Sequence, residues 1–251
     1  MFSWYLEQIK NHGIAPATWL LWRVSWRRAF VIFSNLVLPA KLVCPCCEWQ
    51  GQRFFDYIEM GYTAPNAACP RCDSHSRHRA LFMWLRDEYR IHEKAGTALV
   101  FAPERALAPL WRTARNLRVY KVDLAPGRGV DTLADLMRLP FAASVADLIW
   151  CHHVIEQVED AHAALSELCR VLCPATGELI VSVGMDAQER TVEFGFRDQA
   201  LSGNRRSFGA DFPQTLAEAG FEVSPVPYNL SDEDCRKYGI TPEPFYQCIR
   251  N

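Results

Sequence analysis

The sequence predicts an α/β protein with a doubly wound, mostly parallel sheet of seven strands, preceded by a small zinc ribbon and an amino-terminal amphipathic helix. From residue 96 onward, short apolar runs alternate with helical patterns. Two Cys-x2-Cys pairs lie between residues 44 and 72, and residues 17–38 carry Trp and Phe at helical spacing. We therefore divide the chain into a helical segment (1–40), a ribbon (41–79), a connecting helix (80–95) and an α/β domain (96–251).

The composition is that of a globular protein. Of 251 residues, 49% are hydrophobic and 22% are charged, which excludes a disordered chain and a coiled coil. The formal net charge of −2 disfavours a protein that binds nucleic acid through a general positive field. The charge is uneven, with +4 on residues 1–95 and −6 on residues 96–251, which supports two separate parts.

The cysteines and the first residues indicate where the protein resides. Ten cysteines would suit a disulfide scaffold only in a short secreted chain, and the start, MFSWYLEQIKNHG, lacks the pattern of a cleavable secretion signal. We therefore expect a cytoplasmic protein with reduced thiols.

Residues 17–38 form the predicted amphipathic helix, ended by Pro39. Arg23, Arg27 and Arg28 disfavour a membrane span, because each would cost about 2.5–3.5 kcal/mol at the bilayer centre. One face of the helix carries an aromatic stripe, which consists of Trp19, Trp22, Trp26, Phe30, Phe33 and Val37. Two interpretations stay open: the stripe packs on the rest of the chain or on a second copy, or it lies in a membrane interface as a peripheral contact.

The four cysteines Cys44, Cys47, Cys69 and Cys72 have the spacing of a zinc site. Each Cys-x2-Cys turn directs two thiolates at one point, and two such turns complete a tetrahedral four-thiolate centre. Such a centre has no open coordination position, so the zinc would be structural. Cys46 is interpreted as a non-ligand, and a pair of disulfides is the alternative.

After the ribbon, the basic cluster Arg71, Arg77, His78 and Arg79 leads into a predicted helix over residues 80–96 that ends at Gly96. The cluster is either a solvated helix start or an anion site.

The α/β domain is predicted from its alternating elements. We predict strands at 97–102 and 117–124, and a third, short strand that ends near Asp135. Further strands are predicted at 145–153, 177–184, 221–226 and 245–250. Helices are predicted over residues 105–116, 159–173 and 209–220.

In a doubly wound sheet, ligands bind at the carboxyl ends of the strands where the winding reverses. Those ends carry Ala102-Pro103-Glu104, Asp123-Leu124, Asp135-Leu136 and Cys151-His152-His153. A carboxylate at the end of the second strand, Asp123, can accept hydrogen bonds from both ribose hydroxyls of an adenosine ligand. A turn or helix-capping role is the alternative for this single residue.

At these residues the sequence resembles the class I S-adenosylmethionine-dependent methyltransferases, and more closely those with an amino-terminal zinc ribbon. The resemblance covers 44–79 and 96–251, and its most specific parts are ADLMRLPF, ADLIWCHHVIEQVEDAHAALSELCRVLCPATGELIVSV and GADFPQTLAEAGFEV. It implies a Rossmann-like fold and S-adenosylmethionine as cofactor. It also implies that Asp123 binds ribose, that Asp135 and Leu136 border adenine, and that Cys151 and His152 lie beside the methionine part.

Two positions depart from the family pattern. The family has a glycine-rich turn after the first strand, whereas this chain has ALVFAPERALAPL. Either Ala102-Pro103-Glu104 is an alternative cofactor loop, with Glu104 facing the methionine amino group, or the chain has lost cofactor binding. The family's His-Val-Leu-Glu-His run appears here as His153-Val154-Ile155-Glu156-Gln157, which removes one candidate base.

The resemblance implies methyl transfer to a small molecule or to a lipid- or sugar-linked acceptor. His153 is the best candidate for a general base, oriented by Glu156, with a purely pocket-shaping role as the alternative. Asn204, Arg205 and Arg206 either recognise an anionic acceptor or belong to a mobile lid. The rival functions are a zinc-ribbon scaffold or regulatory protein with a decayed cofactor site, and an RNA methyltransferase.

Overall fold

The structure, a computed structural model, describes residues 2–59, 62–127, 129–185, 187–198 and 203–251. The chain forms two compact units. The first contains residues 1–83 and 229–242, and the second contains residues 84–228 and 243–251. The first unit therefore unites the predicted helical segment with the ribbon, and it also includes a late segment that the sequence had assigned to the α/β domain.

The first unit consists of helices and short antiparallel strand pairs. Its elements are α1 (Phe2–His12), α2 (Ile14–Val37), β1 (Leu42–Val43), β2 (Gln50–Gly51), β3 (Phe55–Glu59), β4 (Tyr62–Ala68) and α3 (Ser76–Met83). A helix from the late segment, Asp232–Tyr238, also belongs to it. Strand β1 pairs with β2, and β3 pairs with β4.

Helix α2 confirms the predicted amphipathic helix and begins three residues earlier than residue 17. Its buried residues are Ala17, Leu20, Val24, Val31 and Ser34, and Leu20 and Val24 pack against Ile58 of β3. The aromatic stripe lies on another face, where every member is about half exposed or more. The interpretation that the stripe packs on the rest of the chain is therefore wrong for the described residues, because smaller side chains make that contact.

No helix among the described residues has the length and apolar character needed to cross a bilayer, as the arginines of α2 predicted.

The interpretation of the basic cluster is wrong for Arg79. Its side chain is fully buried and donates hydrogen bonds to the carbonyl oxygens of Ala67, Ser74 and Gly239. Its guanidinium carbon lies 4.1 Å from the centre of the Phe54 ring. This residue is therefore an internal brace of the first unit, and neither a solvated helix start nor an anion site.

The predicted helix over 80–96 is wrong in its second half. Helix α3 ends at Met83, a π-helical turn follows at Trp84–Glu88, and a 3-10 turn follows at Ile91–Glu93. Arg90 between the two turns adopts a left-handed conformation with φ of 54°, which a continuous α-helix cannot contain.

The second unit contains the predicted sheet and its helices. Its elements are β5 (Ala95–Phe101), α4 (Ala108–Thr113), β6 (Asn116–Asp123), β7 (Thr132–Leu133), β8 (Leu148–His152), α5 (Ala161–Val171), β9 (Glu178–Ser182), β10 (Val192–Asp198), β11 (Asn204–Ser207), α6 (Phe212–Glu218) and β12 (Phe221–Pro225). The late segment of the first unit supplies α7 (Asp232–Tyr238), and β13 (Tyr246–Arg250) ends the chain.

The seven-stranded sheet has the order β12-β13-β9-β8-β5-β6-β7. Strand β13 is antiparallel to both of its neighbours, and the other pairs are parallel. The chain proceeds from β5 to β6 and β7 on one side, and then to β8 and β9 on the other. The winding therefore reverses between β5 and β8, which confirms the predicted doubly wound architecture and fixes where a ligand site is expected.

Strand β8 and helix α5 form the centre of the core. All five residues of β8 are buried, as its nearly continuous apolar sequence predicted. Asp160 is the N-cap of helix α5, and its side chain accepts a hydrogen bond from the Ala163 amide at 3.0 Å. The helix buries Ala164, Leu165 and Leu168 against the sheet core. The loop that precedes α5 is thereby anchored at its end, and this loop carries His153 and Glu156.

Candidate functional site

A cavity of about 300 Å³ lies at the carboxyl ends of β5, β6 and β8. This volume is at the lower end of the range of small-molecule sites, about 300–1,000 Å³. The residues that line it are Phe101, Ala102, Val122, Asp123, Leu124, Ala134, Asp135, Leu136, Met137, His153, Val154, Gln157, Val158, Glu159, Arg197 and Arg205. The cavity therefore lies where the sheet topology predicts a ligand.

The structure brings five of the nine predicted cofactor residues together in this lining: Ala102, Asp123, Leu124, Asp135 and Leu136. The other four, Pro103, Glu104, Cys151 and His152, are not among the lining residues. Of the two predicted catalytic residues, His153 lines the cavity, and Glu156 lies behind it as the partner of His153.

Ala102 forms the turn that contains no glycine. Its φ is +45°, in the left-handed region that favours glycine, and its amide donates a hydrogen bond to the Val122 carbonyl at 2.9 Å. The turn after β5 thus adopts a glycine-like backbone with only a methyl side chain. The lack of a glycine in this turn does not prevent the turn from being narrow.

Asp123 and Asp135 place two carboxylates in the cavity. Asp123 Oδ1 accepts a hydrogen bond from the Ala125 amide at 3.2 Å, and Asp135 Oδ1 accepts one from the Met137 amide at 2.9 Å. Each carboxylate therefore closes a local turn and is oriented by it. Asp123 therefore has the turn role that the sequence left open as an alternative, and it also lines the cavity.

Cys151 and His152 are buried at the end of β8, and Glu104 is partly buried beside His152. His152 hydrogen-bonds through Nδ1 to Ser182 Oγ, and its Nε2 lies 3.7 Å from Glu104 Oε1. Burial, with a smaller contribution from Glu156, raises the pKa of the fully buried Cys151 thiol well above its usual range. Cys151 is therefore a neutral core side chain.

His153 and Glu156 form a hydrogen-bonded pair at the end of β8. His153 Nδ1 lies 2.8 Å from Glu156 Oε1, and the same oxygen accepts a hydrogen bond from the Gly184 amide at 3.1 Å. Glu156 is buried, whereas His153 is half-buried at the cavity. On the other side of the ring, His153 Nε2 lies 3.7 Å from Glu243 Oε2. A carboxylate that accepts from Nδ1 of a neutral imidazole leaves Nε2 as the nitrogen able to take a proton.

Two arginines from the β10–β11 hairpin complete the lining. Arg197 lies in β10 and Arg205 in β11, and sequence reasoning missed Arg197 altogether. The Nε atom of Arg205 is buried without a hydrogen-bond partner among the described residues. This strand pair was not predicted, because its residues are mostly polar and give no apolar run.

Arg206 fixes this hairpin to the loop that carries His153. Its buried guanidinium donates to the carbonyl oxygens of Ile155 and Val158 at 2.8 Å and of Glu159 at 2.9 Å. Its Nε donates a hydrogen bond to Glu193 Oε1 at 2.6 Å. Arg206 is therefore a bracing residue, whereas its neighbour Arg205 faces the cavity.

The four predicted metal ligands lie together in the first unit. The sulfur atoms of Cys44, Cys47, Cys69 and Cys72 all lie within 4.8 Å of one another, with 3.6 Å between Cys44 and Cys72 and between Cys47 and Cys69. A tetrahedral zinc with Zn–S bonds of about 2.3 Å would separate its sulfurs by about 3.8 Å, so the cluster fits this ion. The buried Ser74 hydroxyl lies 3.1 Å from Cys44 Sγ and 3.3 Å from Cys72 Sγ.

Cys46 is not one of these four residues, although its thiol interacts with Cys44 and Cys72. Its sulfur also lies 3.9 Å from the His78 carbonyl oxygen. All ten cysteines are free thiols, so the structure does not contain the alternative pair of disulfides.

Comparisons with known proteins bear on the α/β domain. The protein family described as "Methyltransferase domain" matches residues 103–181. No curated protein matches the chain.

The chain is also similar to solved structures at low identity. An S-adenosylmethionine-dependent methyltransferase from Mesorhizobium loti is 15% identical, with a TM-score of 0.49 over 68% of this chain and 98% of that one. The [4+2]-cyclase SpnF is 16% identical, with a TM-score of 0.48 over 74% of this chain and 69% of that one.

The family match begins at Pro103, directly after β5, and ends within β9. It therefore covers the turns and strand ends that carry Asp123, Asp135 and His153. The match assigns a methyltransferase domain to residues 103–181, which belong to the doubly wound sheet and border the cavity at its reversal point.

Proposed function

We propose that this enzyme transfers the methyl group of S-adenosylmethionine to a small molecule or to a lipid- or sugar-linked acceptor that carries an anionic group. The observation that carries the proposal is the position of Asp123 and Asp135 with the narrow turn at Ala102, all lining one cavity at the strand ends. S-adenosylmethionine supplies an electrophilic methyl group on a sulfonium.

The carboxylate side of the cavity suits this cofactor. Asp123 would accept hydrogen bonds from the two ribose hydroxyls, since it ends the strand next to β5. Asp135 and Leu136 would border adenine. Ala102 would let the backbone approach the methionine part, because a methyl group on a left-handed residue takes little space.

The opposite side of the cavity suits the acceptor. Arg197 and Arg205 would bind a carboxylate or phosphate, since guanidinium groups match both geometries. His153 would take the acceptor's proton at Nε2, with its ring orientation held by Glu156. A closed site with aligned reactants contributes much of the rate of such a displacement, so the base has a supporting role.

The cysteine cluster would hold a structural zinc ion. Four thiolates saturate its coordination, so the ion would stabilise the first unit and take no part in methyl transfer.

Titration calorimetry with S-adenosylmethionine and S-adenosylhomocysteine tests the cofactor. Binding of both ligands by the full chain, and no binding of ATP, is the expected result. Failure of both ligands to bind would instead support the decayed scaffold.

Incubation with S-adenosylmethionine labelled on its methyl group tests the acceptor. The label should appear in the anionic fraction of small molecules or lipids. Label that appears in RNA and is removed by ribonuclease would contradict the proposal and favour the RNA methyltransferase.

A further inference from the structure

The aromatic stripe of α2 is a large apolar surface that stays mostly exposed among the described residues. Trp22 and Trp26 are 63% and 64% exposed, and the other members are exposed to a similar degree. At 1.5 Å per residue, the stripe from Trp19 to Val37 extends for about 27 Å. Monomeric soluble proteins rarely leave an apolar surface of this extent uncovered, so it is an interaction surface.

The opposite face of α2 is already occupied. Leu20 and Val24 pack against Ile58 of β3, and Arg27 forms an ion pair with Asp56 of the same strand. The helix is therefore fixed on the ribbon by one face and presents the aromatic face outward.

The charges within the segment that carries the stripe are of one sign. Residues 8–47 contain no Asp or Glu, and they contain the cations Lys10, Arg23, Arg27, Arg28 and Lys41. The guanidinium carbon of Arg23 lies 4.5 Å from the centre of the Trp19 ring, directly beside the stripe. An anionic surface complements this segment, because each cation close to anionic lipid adds to the binding free energy.

The chemistry of the side chains favours a lipid surface over a second copy. Trp is enriched where bilayer meets water, and an amphipathic helix with Trp and Phe on one face and Arg on its flank lies in the plane of that interface. A second copy would bring together two segments that each carry no carboxylate and four cations besides Arg27, which is paired with Asp56. Crossing the bilayer is not an option for α2.

We propose that α2 binds the surface of an anionic lipid bilayer, with the aromatic stripe among the headgroups and the first unit carried on its other face. This interaction is separate from the cofactor cavity, and it would place the enzyme at a membrane whatever its acceptor.

Cosedimentation of the full chain with vesicles tests the proposal. The protein should sediment with vesicles of phosphatidylcholine and phosphatidylglycerol, and much less with vesicles of phosphatidylcholine alone. The double variant Trp22→Ser/Trp26→Ser should bind the anionic vesicles at least about tenfold more weakly, because it removes two of the largest inserted side chains. Tyr62→Ser is the matched control, since Tyr62 is 57% exposed but lies in β4, outside the stripe.

A charge variant separates the two contributions. Lys10→Glu/Lys41→Glu changes two exposed residues and should weaken binding to anionic vesicles by about tenfold or more, with little change for neutral ones. Circular dichroism and zinc content verify that each variant is folded.

Three outcomes would overturn the proposal. The first is no sedimentation of the wild type with anionic vesicles, and the second is equal binding by the tryptophan double variant. The third is that the wild type forms a dimer in sedimentation velocity and does not bind vesicles, whereas the double variant is a monomer. That result would assign the stripe to a second copy.

Discussion

Ala102 and His153 both have left-handed backbone conformations, with φ of 45° and 52°, and they follow neighbouring parallel strands, β5 and β8. Non-glycine residues avoid this region at a cost of about 1 kcal/mol or more. Both residues line the same cavity. The strained positions thus coincide with the proposed reaction site, where they turn the chain away from the sheet and leave space for a ligand.

The strain at Ala102 predicts opposite effects for two substitutions. Ala102→Gly should leave the free energy of unfolding unchanged or raise it by up to about 1 kcal/mol, because glycine adopts this φ freely. Ala102→Val should lower it by about 2 kcal/mol, since a β-branched side chain is disfavoured there. Urea unfolding measures both, and a valine variant as stable as wild type would refute the strain.

Asp123 should be required for cofactor binding but not for folding. Asp123→Asn should weaken S-adenosylmethionine binding about 10- to 100-fold, because hydrogen bonds to a charged acceptor are worth about 1.5–3 kcal/mol. Calorimetry measures the affinity, with Glu222→Gln on the exposed surface of β12 as the control. Unchanged affinity in Asp123→Asn would mean that the ribose binds elsewhere.

The buried carboxylate of Glu156 should stabilise the end of β8. Its Oε1 accepts from both His153 Nδ1 and the Gly184 amide, and a glutamine amide could present a donor to one of them. We expect Glu156→Gln to lower the free energy of unfolding by about 1–3 kcal/mol and to reduce methyl transfer. Urea unfolding and the labelled-methyl assay measure these effects, with the exposed Glu189→Gln as control. A fully stable and active Glu156→Gln would show that this pair is dispensable.

Zinc content should distinguish Cys47 from its neighbour Cys46. Cys47→Ser should lose most of the bound zinc and lower the Tm by several degrees, because the ion's binding free energy contributes to folding. Cys46→Ser should keep most of the zinc, since Cys46 is not one of the four residues whose sulfurs can surround one ion. Elemental analysis of both variants measures this, and equal zinc in all forms would rule out the proposed ligand set.

Asp211 should confer pH-dependent stability. Its two oxygens each accept a hydrogen bond from the Thr191 amide at 2.9 Å, and these bonds hold the pKa of the carboxyl below its usual value. Because the pKa is lower in the folded state, the stabilisation is present above the unfolded pKa of about 3.9 and is lost as the pH falls through the folded pKa. Asp211→Asn should therefore be less stable than wild type at pH 7, and the difference should shrink below about pH 4. Urea unfolding at pH 7 and below pH 4 measures the difference in the free energy of unfolding between Asp211→Asn and wild type. An equal difference at both pH values would contradict this assignment. Glu218→Gln, at an exposed position, is the control.

Much of the fold could be predicted because its pattern is local. The continuous apolar run of β8 and the alternation of strands and helices predict the doubly wound sheet, and the Cys-x2-Cys spacing predicts a four-cysteine cluster. The exposed face of α2 could not be predicted, because this helix is apolar on most sides and periodicity does not reveal which side packs. Arg79 and Arg206 are buried among backbone carbonyls that come from distant parts of the sequence, so charge alone suggested a surface role.

The path of the chain through the first unit has a consequence for biosynthesis. The Ser76 hydroxyl hydrogen-bonds with the backbone of Thr241, and Arg79 with that of Gly239, across more than 150 residues of intervening sequence. The amino-terminal part leaves the ribosome first, and these partners emerge only after the intervening residues. Until Gly239 has been synthesised, the Arg79 guanidinium lacks one of its carbonyl acceptors. A nascent chain released early would therefore contain an incomplete first unit, and residues 1–83 expressed as a fragment would need 229–242 supplied in trans.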